Sequence, residues 1–308
     1  MFYWEPAEVL AFGMNPLTSA RLGVTTAALL LATGLIPAAA QSGPTIWDSV
    51  STILRVPPAA AAGYHRFNFP RRDLTVRVGD VTVSPALALT GWAGFSGDPG
   101  ASMVMGDLVV LPSELPGVVT GLLTRGFEVG AIHNHLAGEQ PHILFVHFAG
   151  RGSVTLLARS LDSVLAGTAV PRSLTPATAP PLAIDTGRVF DGLGIRGRAT
   201  GAVASVSTVL VPVVTMESDS LVRVMATASP VNVQMLDGGR AATSGDFAVT
   251  GDKVQPLLRA LSAAHITPTA VHNHLVGEQP AITFIHFWGV GPLDAILKGL
   301  RAALDAAK

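Results

Sequence analysis

Short runs of alternating apolar and polar residues recur along this chain and predict strands, with helical stripes between them. Residues 74–78 and 81–83 alternate around Gly79-Asp80, which is typical of a tight hairpin. A strand is predicted over 103–110, followed by a helix over 113–125 that Ser113 caps and Gly126 ends. Strands over 127–135 and 143–148 flank a predicted turn at 138–141. A final helix is predicted from the apolar stripe Val154, Leu157, Leu161, Val164 and Leu165. This mixture of elements is typical of an α+β fold.

The second half of the chain repeats this order of elements. Its pattern predicts a strand over 246–249, a helix through Leu257, Leu258 and Leu261, strands on both sides of Gly277, and a closing amphipathic helix through Leu293, Ile296, Leu297, Leu300 and Leu304. We therefore predict an α+β fold of two tandem ββ(β)αββα units related by a pseudo-two-fold axis. Each unit has a mixed or antiparallel sheet with helices on one face.

The two halves are copies of one ancestral unit. Fourteen of the twenty residues from 133 to 152 are identical to those found 139 positions later, including the strings His-Asn-His-Leu and Gly-Glu-Gln-Pro. The same shift carries Gly106-Asp107 onto Gly245-Asp246 without a gap. We predict a first repeat over 41–170, a Pro- and Thr-rich linker over 171–182, and a second repeat over 183–308.

The first forty residues predict a secretory signal peptide. An apolar run from Leu22 to Ile36 follows Arg21 and ends in Ala38-Ala39-Ala40, which fits the small-residue cleavage pattern with a cut after Ala40. Met14 is an alternative start that would remove an acidic stretch. The expected location is the periplasm or the exterior, and we expect no stable membrane span after the signal is cleaved.

Composition excludes several classes of function. Of 308 residues, 49% are hydrophobic and only 13% are charged, so the chain can bury a large core. Lys and Arg together number 20 against 21 Asp and Glu, and this balance predicts no nucleic-acid partner. Cysteine is absent, which excludes disulfides and thiolate sites. Any metal site must therefore use histidine and carboxylate ligands.

Each repeat carries a histidine cluster. His133 and His135 share one face of a predicted strand, with Cα atoms about 6.6 Å apart, a spacing that suits chelation. The candidate metal ligands are His133, His135 and His147 in the first repeat and His272, His274 and His286 in the second. Glu139 and Glu278, in the intervening turns, are candidate catalytic bases or further ligands.

Three interpretations of these clusters remain open at this point. The first is a metal-binding protein, extending to a metal-dependent hydrolase, in which zinc is the default ion and copper or iron also fits. The second is a metal-free hydrolase that uses two histidines from the two halves as acid and base. The third is a non-catalytic envelope or ligand-binding protein. The expected partner in each case is a small molecule or a cell-envelope component.

The repeated motifs resemble a known family. Gly-Asp followed by a helix, then His-Asn-His-Leu, Gly-Glu-Gln-Pro and His-Phe, all present twice, is similar to the LppY/LpqO family of exported bacterial proteins, a duplicated domain of unknown function. The segment from Tyr64 to Gly79 also resembles the opening of that family. The resemblance implies a fold and a compartment, and it supplies no reaction.

Overall fold

The computed structural model describes residues 45–59, 61–216, 219–273 and 275–308. The predicted signal peptide and His274 lie outside these described residues. No helix within the described ranges is long and apolar enough to cross a membrane.

Helices and strands of the first repeat run from residue 46 to residue 165. In chain order they are α1 (Ile46–Leu54), β1 (Pro58–Ala59), β2 (His65–Pro70), β3 (Arg77–Val78), β4 (Val81–Thr82), α2 (Pro85–Ala88), β5 (Thr90–Ser96), β6 (Ser102–Val110), α3 (Leu115–Leu123), β7 (Glu128–His133), β8 (Glu139–Gln140), β9 (Leu144–Gly152) and α4 (Val154–Leu165). The predicted hairpin at Gly79 is confirmed as β3 and β4, which pair antiparallel.

The second repeat has the same order of elements. They are α5 (Thr186–Leu193), β10 (Gly197–Thr200), β11 (Val203–Val209), β12 (Thr215–Met216), β13 (Asp219–Ser220), α6 (Arg223–Ala226), β14 (Ala228–Met235), β15 (Arg240–Val249), α7 (Gly251–Ala263), β16 (Thr267–Asn273), β17 (Glu278–Gln279), β18 (Thr283–Pro292) and α8 (Leu293–Ala306). The mixed α+β fold with two similar halves is confirmed.

Each repeat forms a six-stranded antiparallel sheet with the same topology. The strand orders are β1-β2-β5-β6-β9-β7 and β10-β11-β14-β15-β18-β16. A glycine lies at the centre of each sheet, because a Cβ on Gly106 would collide with the Trp92 carbonyl and one on Gly245 with the Pro230 carbonyl. The Gly-Asp motif thus lets neighbouring backbones approach closely beside an aspartate.

Helices cover the outer face of each sheet. One apolar core joins α1, α3 and α4 to residues such as Val146 and Phe148 of the first sheet. The equivalent core joins α5, α7 and α8 to Ile285 and Phe287 of the second sheet. The predicted N-cap at Ser113 is wrong by one residue, because Glu114 occupies the cap position of α3 and its carboxylate accepts from Leu111 N and Arg71 instead.

The inner faces of the two sheets face each other. Two apolar clusters join the sheets, and each contains residues of both repeats. In one, Val109 and Phe145 pack with Ala242 and Trp288. The other contains the residues at the equivalent positions, which are Ala248, Phe284, Met103 and Ala149. Side chains alternate along a strand, so residues two positions from Phe145 and Phe284 also face this space. That places His147 and His286 between the sheets, where both are buried.

Candidate metal centre

Strand register brings aspartate and histidine together on each inner face. Asp107 on β6 lies opposite His147 on β9, and Asp246 on β15 lies opposite His286 on β18. On the neighbouring strands, His133 of β7 lies opposite Phe145 and His272 of β16 lies opposite Phe284. The duplicated motif therefore presents the same donors twice, from two facing sheets.

The two histidine clusters meet in one place. The ring centroids of His133 and His272 are 4.1 Å apart and stacked, and those of His135 and His286 are 3.9 Å apart. Both contacts join the first repeat to the second. Local sequence could not decide between one composite site and two, but this geometry does: His133, His135, His272 and His286 form a single cluster between the sheets.

Donor atoms converge in groups that mix the two repeats. His133, His272 and His286 each offer one atom within 4.8 Å of the others, and so do His135, Asp246 and His286. A third group of Asp107, His133 and His135 comes from the first repeat alone. These side chains could hold a metal ion.

Hydrogen bonds fix the orientation of two of the rings. His286 Nδ1 lies 2.7 Å from Asp246 Oδ1, and His272 Nδ1 lies 2.6 Å from the Asn273 carbonyl oxygen. Carboxylate and carbonyl oxygens only accept, so Nδ1 of each ring must carry the proton. Nε2 of each neutral ring is then a lone-pair acceptor. These two Nε2 atoms point at one another across 2.7 Å.

Burial disfavours the protonated form of two rings in the cluster, His272 and His133. It lowers the pKa of His272 to about 4, with a further contribution from charge on His286. Burial also lowers the pKa of His133 far below its usual value. Neutral imidazoles are the form that binds metal ions. The centre also buries two polar atoms that have no hydrogen-bond partner among the described residues, Asp107 Oδ1 and His133 Nδ1.

The predicted site residues are distributed unevenly around this centre. His133, His135, His272 and His286 belong to the convergent groups, while His147 lies beside them with its Nδ1 3.6 Å from Asp107 Oδ2. His274 is outside the described residues. Asp107 and Asp246 complete the groups, and the repeated Gly-Asp motif was their signal in the sequence.

Both predicted catalytic glutamates are buried, and each is the first residue of a short strand, β8 or β17, where a turn was predicted. Glu139 Oε1 accepts from Ile143 N at 3.2 Å, and Glu278 Oε1 accepts from Ile282 N at 3.0 Å. The same oxygen of Glu139 also lies 2.7 Å from His142 Nδ1. Each carboxylate therefore holds its turn closed by bonding the backbone four residues later.

This turn contact gives a prediction about stability. Glu139→Ala should lower the free energy of unfolding by about 1–3 kcal/mol, because it leaves a buried backbone donor unsatisfied. Glu139→Gln keeps an acceptor oxygen and should cost less than half as much. Urea denaturation measures both, with exposed Glu128→Ala as the control. Equal losses for the two variants would contradict the contact's structural role.

The cavities beside the centre contain residues that no sequence pattern had indicated. A cavity of about 380 Å³ is lined by Asp107, His135 and Asp246 together with Arg66 and Arg198. A second cavity, of about 430 Å³, shares both arginines and both aspartates. The 139-residue shift places serine and alanine, Ser205 and Ala59, where the other repeat has these arginines. No repeated pattern could have marked them.

Comparison with solved structures shows only weak likeness. The double ringed trimeric shell protein MSM0271 from the RMM microcompartment is 12% identical over 68% of this chain and 83% of its own, with a TM-score of 0.20. EtuB from Clostridium kluyveri is 12% identical over 81% of this chain and 89% of its own, with a TM-score of 0.19. Scores this low carry no argument about fold or function. No curated protein matches the sequence.

A family profile matches both repeats. It is described as Domain of Unknown Function (DUF1259), and it matches residues 48–167 and again residues 188–306. The two matches coincide with the two sheets and their helices, so the sequence repeat and the structural repeat are the same unit. The chain belongs to this family, as a tandem duplication of its domain.

Proposed function

We propose that this protein binds one divalent transition-metal ion between its two repeats, with His133, His272 and His286 as ligands and His135 beside them. One observation carries the proposal. His272 and His286 direct lone pairs at each other across 2.7 Å, and their protons are held on Nδ1 by acceptors. Two such lone pairs repel unless a cation lies between them.

A proton shared between the rings is the other candidate for that cation. The low pKa of His272, caused first by burial, disfavours a proton on that ring at neutral pH. A metal ion meets the same need without protonating either ring, and the neighbouring carboxylates of Asp107 and Asp246 offset its charge.

The spacing of the donors supports tetrahedral coordination. Zn–N bonds of about 2.0–2.1 Å place the donors of a tetrahedral site about 3.3 Å apart. The Nε2 atoms of His272 and His286 are 2.7 Å apart and need to separate by only about 0.6 Å to reach this value. Zinc is the proposed ion, and copper or iron would accept the same nitrogen and oxygen donors.

Metal-dependent hydrolysis is the proposed reaction class. A bound divalent ion lowers the pKa of a coordinated water to about 7, and the adjoining cavity gives a substrate access to Asp107, His135 and Asp246. A general-base role for Glu139 or Glu278 stays a prediction. The metal-free alternative needs a histidine that is protonated near neutral pH, and the low pKa of His272 disfavours that residue in the role.

The proposal also covers export of the chain and the kind of ligand that it binds. We propose that residues 1–40 direct the chain to the periplasm or the exterior, the compartment that the LppY/LpqO resemblance implies. The small-residue pattern at Ala38-Ala39-Ala40 places the cut after Ala40. The proposed ligand is a small molecule or a cell-envelope component. N-terminal sequencing of protein recovered from the periplasm or culture medium, with Gln41 as the first residue, tests the cleavage.

Asp246 provides a test of the centre that leaves all the histidines in place. A carboxylate on a ligand's Nδ1 raises the basicity of that imidazole, and its loss typically costs about 10–100-fold in metal affinity. Asp246→Asn should therefore weaken zinc binding about 10–100-fold in calorimetric titration of protein without a His tag. Asp237→Asn, at an exposed turn, is the matched control. Unchanged affinity in Asp246→Asn would overturn the assignment of His286 as a ligand.

A further inference from the structure

An arginine pair occupies the cavity next to the proposed metal centre. Arg66 on β2 and Arg198 on β10 line both cavities together with Asp107 and Asp246. They come from different sheets, so the cavity between the repeats has a cationic side as well as a histidine side.

Arg66 is held in place by neutral groups. Its Nε donates to Asn68 Oδ1 at 2.8 Å, one Nη donates to the Tyr64 hydroxyl at 3.2 Å, and its guanidinium lies 4.3 Å from the Trp92 ring centroid. No ion pair joins it to a carboxylate among the described residues. Burial and the nearby charge of Arg198 lower the pKa of Arg66. A fixed, half-buried cation without a direct counterion is typical of anion recognition.

Strand register connects this arginine to the metal centre. On the inner face of the first sheet, Asn68 lies opposite Trp92, Trp92 opposite Asp107, and Asp107 opposite His147. Arg66 shares the face of Asn68, two residues away. Strands β2 and β6 are two spacings apart, about 10 Å. His135 lines the same cavity as Arg66 and Asp107, so a small molecule bound there can contact both the arginine and the histidine cluster.

The charge balance indicates the kind of ligand. The first cavity contains three arginines, Arg66, Arg72 and Arg198, against two aspartates. These side chains give the cavity one net positive charge, and a divalent ion at the adjoining centre would add two more beside it. A phosphoryl group carries about 1.5 to 2 negative charges at neutral pH and accepts bidentate bonds from guanidinium. A monocarboxylate would balance less of this charge.

We propose that Arg66 and Arg198 form the binding site for the phosphoryl group of a small-molecule ligand, placed against the metal ion. The inference rests on the proposed metal centre for its charge, and it names the substrate class of that centre. The aromatic side chains Trp92 and Phe145 line the same cavity and offer a surface for an apolar part of the ligand.

Calorimetric titration of zinc-loaded, tag-free protein with inorganic phosphate tests this proposal. Arg66→Gln and Arg198→Gln should each weaken phosphate binding at least tenfold and leave the zinc content unchanged. Arg159→Gln, on the outer helix α4, should bind phosphate like the wild type. Arg198 is exposed, so its substitution tests the site even if Arg66→Gln disturbs packing on Trp92. A second arm compares glycerol phosphate with vesicles containing phosphatidic acid, and binding of either supports phosphoryl recognition and identifies its source.

The phosphoryl site and the metal centre fail in different ways. Zinc-loaded protein that binds no phosphate, or binds it equally well in both arginine variants, overturns the phosphoryl site and leaves the metal centre intact. Protein that takes up no zinc but binds phosphate through Arg66 and Arg198 supports the anion site and overturns the metal centre.

Discussion

Replacing His272 with alanine is expected to abolish metal binding by the whole chain. The proposed ion is held jointly by His272 and His286 of the second repeat and His133 of the first, so loss of one ligand affects the shared site. Elemental analysis after zinc equilibration and desalting should show about one ion per wild-type chain and less than about a tenth of that in His272→Ala. His133→Ala, in the other repeat, should show the same loss.

His265→Asn is the matched control for these variants. His265 is exposed and has a positive φ of 55°, a conformation that asparagine tolerates better than alanine. Its zinc content should equal that of the wild type. If His272→Ala and His133→Ala each keep half of the metal, the repeats bind independently and the composite centre is wrong.

Removing the metal is expected to lower the melting temperature substantially. An ion that binds the folded chain at about 1,000 times its Kd stabilises it by about 4 kcal/mol. At about 2–4 °C per kcal/mol for a chain of this size, chelation should lower Tm by roughly 8–16 °C. Differential scanning fluorimetry with zinc and with a chelator measures the shift.

The same experiment includes an internal control. His272→Ala should melt at one temperature with or without chelator, because it has no bound ion to lose. A chelator effect of equal size in the variant would mean that the metal acts elsewhere on the chain, and the centre between the repeats would then be wrong.

The sequence predicted the second part of each repeat better than the first. Residues 103–110 are mostly apolar because both faces of β6 are buried. The structure confirms the strand predicted there. Strand β2 was not predicted, although residues 66–69 alternate polar and apolar. Its polar side chains, Arg66 and Asn68, line the cavity, and Phe67 and Phe69 pack in the core on the other face.

The ligand types were also predicted, but their grouping was not. His-x-His and a later histidine predicted the histidine ligands, which stay a prediction, and the repeated Gly-Asp motif marked Asp107 and Asp246 without assigning them as ligands. Which donors share an ion depends on how the two inner faces pack, and no local pattern encodes the contact of His133 with His272. The tautomers depend on Asp246 and the Asn273 carbonyl, which are likewise set by the folded chain.

Anomalous diffraction at the zinc absorption edge, from crystals of tag-free protein grown with zinc, tests the composite centre most directly. We expect a single strong peak between the sheets, about 2.0–2.1 Å from Nε2 of both His272 and His286. No peak between these atoms, or one separate peak within each repeat, would contradict a shared metal ion.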